Sequence, residues 1–114
     1  MKSSKDYLDY VLAEPLRYVE GITSRPMFGG FGIYQNGIFF ALIDDDQLYF
    51  KVDETNKKDY EAAGSQPCTY VMKGKTMAMD YWLVPEEVMS DPDSCRDWAM
   101  KSFEIALKKK KKGR

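Results

Sequence analysis

Arg25-Pro-Met-Phe-Gly-Gly-Phe-Gly-Ile-Tyr34 is the stretch that decides the fold, and it leads directly into the turn dipeptide Asn36-Gly37. Its three glycines are interleaved with aromatic and aliphatic residues. Glycine weakens an apolar strand, so three of them indicate a bulge, a sharp bend, or close contact with another backbone or a ligand. We therefore predict one strand from Arg25 to Tyr34, closed by a hairpin turn at Asn36-Gly37.

Four further strands follow from the pattern of apolar residues. The continuous apolar run 38–43 is typical of a central strand that is buried on both faces, and residues 48–52 alternate as a half-buried strand does. A second hairpin has strands over 69–73 and 76–84, joined at Gly74-Lys75. The sequence therefore predicts five antiparallel strands.

Helical spacing surrounds these strands. Ser3 or Ser4 can cap a first helix, which Pro15 should kink or divide. A short helix leads to Gly64, and one or two helices at the end of the chain bury an apolar stripe as far as Leu107. The predicted fold class is α+β in two layers, with helices on one face of the five-stranded sheet, in the order α-β-β-β-α-β-β-α(-α).

Length and charge indicate one domain with a basic tail. The chain has 114 residues and 44% hydrophobic content, which suffices for a single core, and we place the domain at 1–107 and the tail at 108–114. Six of the 17 basic residues lie in the tail, leaving 11 against 18 acids, so a body of −7 carries a tail of +6. We expect a cytoplasmic protein, because the sequence shows neither a membrane span nor a signal-type segment.

Catalytic and metal-binding patterns are weak. Histidine is absent, and Cys68 and Cys95 lack metal-ligand spacing, so we expect buried thiols, no metal and no cofactor. The acidic run Asp44-Asp-Asp46 reads as a solvated turn rather than a calcium loop. Asp80 is the one candidate acid or base, and pairing with lysine or arginine explains it better. We therefore predict a protein that is not an enzyme.

Five segments together resemble the N-terminal domain of the TfoX/Sxy family, the regulators of competence in bacteria. These segments are Arg25-x-Met-Phe-Gly-Gly-Phe-Gly-Ile-Tyr34, Phe40-Ala-Leu-Ile43, Asp46-x-Leu-Tyr-x-Lys51, Glu61-Ala-Ala-Gly64 and Met79-x-Tyr-Trp-x-Val-Pro-Glu86. The resemblance covers nearly all of residues 4–107. It implies a two-layer fold similar to type III secretion chaperones and a regulatory role in bacteria linked to transcription and competence.

This chain departs from the family pattern in two places. Longer members continue into a second, helical domain, whereas here the resemblance ends at Leu107 and Lys108–Arg114 follow. Many members have two basic residues before Met-Phe-Gly-Gly, and this chain has Arg25-Pro26. The resemblance supplies no catalytic residues.

The glycine stretch is the candidate interaction site. Its residues of interest are Arg25, Met27, Phe28, Gly29, Gly30 and Gly32. A phosphate cradle is the alternative, but a strand follows these glycines where a helix N-terminus is required, which favours a structural bulge.

We expect a homodimer, because the strands carry more apolar residues than one helical layer can cover. These residues are Phe28, Phe31, Ile33, Tyr34, Tyr49 and Trp82. An unknown protein partner, with the transcription machinery as one candidate, fits the regulatory role that the resemblance implies. The alternatives are a weak nucleic-acid binder using Lys108, Lys109, Lys110, Lys111 and Lys112, and a small-molecule sensor using the glycine-lined strand.

Overall fold

The structure is a computed structural model that describes residues 3–112, with side chains through residue 111. Its elements in chain order are α1 (Lys5–Ala13), β1 (Ile22–Met27), β2 (Gly30–Gln35), β3 (Ile38–Asp44), β4 (Gln47–Lys51), α2 (Lys57–Ala62), β5 (Pro67–Met72), β6 (Lys75–Leu83), α3 (Glu86–Met89) and α4 (Pro92–Lys112). The predicted α+β class is confirmed.

The strands form one antiparallel sheet in the order β1-β2-β3-β4-β6-β5. The sheet has six strands, so the prediction of five is wrong. The stretch from Arg25 to Tyr34 is two strands, because the chain reverses at Phe28-Gly29 and pairs Met27 with Gly30. An additional hairpin therefore precedes the one predicted at Asn36-Gly37.

All four hairpins close through two residues with left-handed backbone. They are Phe28-Gly29 (φ 47° and 83°), Asn36-Gly37 (50° and 82°), Asp45-Asp46 (53° and 54°) and Lys73-Gly74 (52° and 77°). Such turns have the twist that adjacent antiparallel strands need. The predicted turns at Asn36-Gly37 and in the acidic run are confirmed, while the last turn lies one residue earlier than predicted.

Pro15 ends the first helix rather than kinking it. The Ser4 hydroxyl accepts a hydrogen bond from the Tyr7 backbone N–H at 3.1 Å, so the predicted cap is confirmed. The helix stops at Ala13, two residues before the proline, which cannot supply a helical donor and restricts the residue before it. Leu16 is still buried, but in the turn that follows.

The main core lies between the sheet and its helices, and α4 packs across β3 and β4. Phe40 and Phe50 meet there with ring centroids 5.8 Å apart. The hydroxyl of Ser102 on α4, completely buried, donates to the backbone oxygen of Lys51 at 2.6 Å. Across residues 3–112, no helix is long and apolar enough to span a membrane.

Candidate interaction groove

A second, smaller apolar cluster lies on the other face of the sheet. Its buried members are Leu42, Tyr49, Cys68 and Tyr81, and Phe39, Met79 and Leu83 pack against them. Beside this cluster is a groove of about 660 Å³ that is lined by strand and turn residues alone. This face therefore has an apolar recess that the helices of the fold do not fill.

Both edges of the sheet contribute to the groove. Met27 and Phe28 line it from the β1–β2 hairpin, and Cys68, Thr69 and Tyr70 line it from β5. These segments belong to the first and last strands of the sheet order. Since strands separated by the whole sheet line the same recess, the sheet must curl around it, as the twist of antiparallel sheets permits.

Phe28 is the most unusual residue at the rim. Its side chain is 100% exposed, and its φ of 47° lies in the left-handed region that bulky residues avoid. Such a conformation costs on the order of 1 kcal/mol or more, and an exposed ring returns no burial energy to the fold. Strain of this kind is concentrated at binding sites. Phe28 was among the site residues predicted from the sequence.

Phe39 and Tyr81 form the aromatic floor of the groove, and Tyr34 continues the row of rings outside the lining. Tyr34 and Phe39 have centroids 5.3 Å apart, and Phe39 and Tyr81 have centroids 5.4 Å apart. Arg25, another predicted site residue, holds its guanidinium 5.4 Å from the centroid of Tyr34. Burial raises the pKa of Tyr81, so its hydroxyl stays protonated at neutral pH. The floor offers flat, neutral surfaces suited to apolar side chains.

A small charged cluster closes one end of the groove. Asp80 lies in a bulge of β6. Pro67 pairs with Trp82 and Thr69 pairs with Ala78, so three residues of β6 (79–81) lie opposite one residue of β5. The carboxylate of Asp80 is 4.0 Å from the Lys51 ammonium and 3.6 Å from that of Lys109. The expected pairing of Asp80 with lysine is confirmed.

Lys51 is the most enclosed charge in this cluster, with a side chain only 12% exposed. Its ammonium lies 5.0 Å from the centroid of the Tyr81 ring. Desolvation, followed by repulsion from Lys109, lowers the pKa of Lys51, and Asp80 partly opposes that shift. The cluster is therefore a polar border to the apolar floor.

The glycines have internal explanations. A Cβ atom on Gly30 would overlap the backbone oxygen of Ile43, and one on Gly32 would lie 3.1 Å from the Phe39 ring. Gly29 belongs to the turn. The predicted bulge is not at these glycines: the register shift falls between Ile33 and Tyr34, and β3 supplies the extra residue there. The glycines thus allow strands of the same chain to approach one another.

Most of the lysine tail belongs to α4, which continues to Lys112. Lys108 to Lys111 are exposed, and Lys109 makes the contact with Asp80. Residues 113 and 114 lie outside the described residues. The predicted nucleic-acid candidates are therefore a helix end beside the charged cluster, well away from Phe28 in sequence and on a different element.

Both cysteines are free and buried, as predicted. Burial raises the pKa of Cys68, and it raises the pKa of Cys95 to about 12, so neither is a nucleophile at neutral pH. In the part of the chain that the structure describes, no group of three or more His, Cys, Asp or Glu side chains could hold a metal ion.

Sequence reasoning found one rim of the groove and missed the opposite one. Of the residues that line the groove, Met27 and Phe28 were predicted from the sequence, whereas Tyr70 on the opposite rim and Tyr81 on the floor were not singled out as site residues. The alternation of 77, 79, 81 and 83 along β6 marked one apolar face, and nothing in the local pattern indicated that this face turns away from the helices.

The fold and groove define a small α+β domain with a recess suited to binding. The profile of the TfoX N-terminal domain family matches residues 14–106 of the 114-residue chain, so the chain belongs to that family. A search of curated proteins finds no match.

Proposed function

We propose that this chain is a cytoplasmic, non-catalytic regulatory domain that binds another protein through the groove. One observation carries the proposal: Phe28 is fully exposed in a strained conformation at the rim of an apolar recess. An aromatic ring at this position does not stabilise the fold. It would stabilise a complex, because aromatic residues that become buried dominate interface energies. Membership of the TfoX N-terminal family supports a link to the regulation of competence through transcription.

The non-catalytic part of the proposal rests on the chemistry of the groove. Asp80, the one acid considered for catalysis, has a side chain 66% exposed and lies between two lysines. The thiol of Cys68 is buried with a raised pKa. A groove with aromatic and methionine side chains on its floor instead suits an apolar segment of a partner protein, because such side chains adapt to varied shapes.

Capture from a lysate of a bacterium that carries the gene tests the role of Phe28. Three tagged forms are compared: the wild type, Phe28→Asn and Phe28→Tyr. Asparagine tolerates the left-handed backbone but lacks the ring, and tyrosine keeps the ring. We expect proteins that the wild type and Phe28→Tyr retain to be lost with Phe28→Asn. Identical capture by all three forms would contradict the proposal.

The alternative of nucleic-acid binding through the lysine run is tested in parallel. Contacts to phosphate weaken steeply as salt rises. A labelled DNA duplex that binds at low salt, is released at moderate salt, and is no longer bound after Lys110→Glu and Lys111→Glu would favour that alternative. We expect no binding that depends on these two lysines.

A further inference from the structure

The β5–β6 hairpin carries an apolar surface that the fold leaves open. The side chains of Tyr70, Val71, Met72 and Met77 are 41%, 73%, 52% and 41% exposed. Because β5 is the last strand in the sheet order, one side of its backbone has no neighbouring strand in the described part of the chain. An apolar edge of this kind pairs with another strand unless charge or proline prevents it.

The two edges of the sheet differ in this respect. β1, at the other edge, contains Pro26 and the exposed Arg25, and both hinder pairing. Residues 69–72 of β5 contain neither charge nor proline, and three of the four are Thr, Tyr and Val, which favour strands. β5 also contains a proline, Pro67, but as its first residue, so residues 69–72 form the stretch of sheet edge that is suited to a second strand.

The hairpin turn determines which backbone groups of β5 point outward. A two-residue turn at Lys73-Gly74 makes Met72 and Lys75 the closing pair, and the two residues of such a pair exchange both of their backbone hydrogen bonds. The direction alternates along a strand, so the N–H and C=O of Tyr70 also face β6. Those of Thr69 and Val71 face away from the sheet.

We propose that β5 pairs with β5 of a second copy of this chain, antiparallel about a twofold axis at Tyr70. In this register Thr69 lies opposite Val71 of the second copy, and Val71 lies opposite its Thr69. Every outward N–H and C=O of these two residues then has a partner, and the two sheets become one. The dimer closes, because pairing occupies both β5 edges and Pro26 obstructs the remaining ones.

Charge favours the same arrangement. Antiparallel pairing brings the basic tip of the hairpin, with Lys73 and Lys75, beside the start of β5 in the second copy. Asp44 and Cys68 line the same groove, so an acidic residue lies on the side of the sheet near that start. Each basic tip thus approaches an acidic group. A parallel pair would instead place the two basic tips side by side.

Sedimentation across a range of concentrations tests the dimer with the full chain. Val71→Pro removes an outward N–H from each copy and leaves the bonds between β5 and β6 intact. Val71→Thr is the matched control, since it keeps the N–H and the β-branched shape. We expect a reversible dimer for the wild type and Val71→Thr, and a dissociation constant raised by about tenfold or more for Val71→Pro, the loss expected for two hydrogen bonds.

Cross-linking provides a second measurement that does not depend on the proline variant folding. Tyr70→Cys places two thiols opposite each other at the twofold axis, where Cβ atoms are about 4.5–5.5 Å apart and a disulfide can form. Met77→Cys, one strand further in, is the control. We expect rapid oxidation of Tyr70→Cys to a covalent dimer and no such product from Met77→Cys.

Three results would overturn this proposal. They are a wild type that stays monomeric, a folded Val71→Pro that dimerises like the wild type, and a Tyr70→Cys that cross-links no faster than Met77→Cys. Partner capture through Phe28 is tested by its own variants on the β1–β2 hairpin, although Tyr70 on the opposite rim lines the same groove. A dimer without Phe28-dependent capture, or capture without a dimer, therefore separates the two proposals.

Discussion

Replacing Gly30 by alanine is expected to be the most damaging single-methyl change in the sheet. Gly30 is buried, and a Cβ atom there would overlap the carbonyl oxygen of Ile43 and lie 3.2 Å from its carbonyl carbon. Both obstacles are backbone atoms, so no side-chain rotation relieves the clash. β2 must move away from β3, and we estimate a cost of about 3 kcal/mol, the upper range for overpacking.

Two other glycines provide controls in which an added methyl group meets no backbone atom. Gly37 has a φ of 82° with no atom within 4 Å of an added Cβ, so alanine there carries only a conformational cost of about 1 kcal/mol. A Cβ on Gly32 would lie 3.1–3.3 Å from the side-chain ends of Phe39, Met27 and Tyr34, which can shift. We expect Gly32→Ala to cost about 1 kcal/mol as well.

Thermal unfolding followed by circular dichroism measures this series. For a chain of 114 residues, a loss of 1 kcal/mol lowers Tm by about 4 °C. Gly30→Ala should therefore lower Tm by about 12 °C, and each control by about 4 °C. The steric explanation of Gly30 fails if its alanine variant melts within about 4 °C of the wild type, or if Gly37→Ala is the less stable protein.

Three further changes test the packing of α4. Ser102→Ala removes the buried hydrogen bond to Lys51 and should cost about 1 kcal/mol in urea unfolding; an unchanged midpoint would contradict this. Deletion of residues 108–114 should change Tm by less than about 5 °C, since Lys108 to Lys111 are exposed and the ion pair of Lys109 with Asp80 is exposed as well. Burial raises the pKa of Cys95 to about 12, so its contribution to stability is complete below pH ~9 and is lost toward pH 12. Between pH 9 and 11 the wild type should therefore lose about 2 kcal/mol more than Cys95→Ala, and equal losses would refute the assignment.

Local turn chemistry explains which hairpins the sequence predicted. Asn36-Gly37 is a preferred pair for a two-residue turn, and it was found. Phe28-Gly29 has the same left-handed geometry, but phenylalanine is not a turn residue, so residue 28 carries no local preference for a reversal. The missing sixth strand follows from that one residue. Positions where local preference is broken in this way are typically functional or strained sites.

The candidate site was predictable only in part, because alternation shows two faces without assigning them. The strands do carry more apolar residues than one face can hold, and the structure distributes these residues between the two faces of the sheet. Ile33 and Trp82 belong to the helix-covered core, whereas Tyr49 belongs to the cluster beside the groove. The assignment depends on the extra residue in β3, which places Phe40 and Ala41 on the same side, and on the curl of the sheet. Both are tertiary properties.

The lysine run is explained by the acidic body of the domain. Lys108 and Lys109 border the same surface hollow as Asp53 and Asp80. Burial is the largest single effect on the pKa of Asp53, and it acts to raise that pKa. Hydrogen bonds from Thr55 and the charges of Lys101 and Lys108 together outweigh it, so the pKa is lowered. Cations at this end of α4 also complement the helix dipole. Because these interactions already give the first lysines of the run a place in the fold, the run is weak evidence for nucleic-acid binding, and the groove with Phe28 remains the better basis for function.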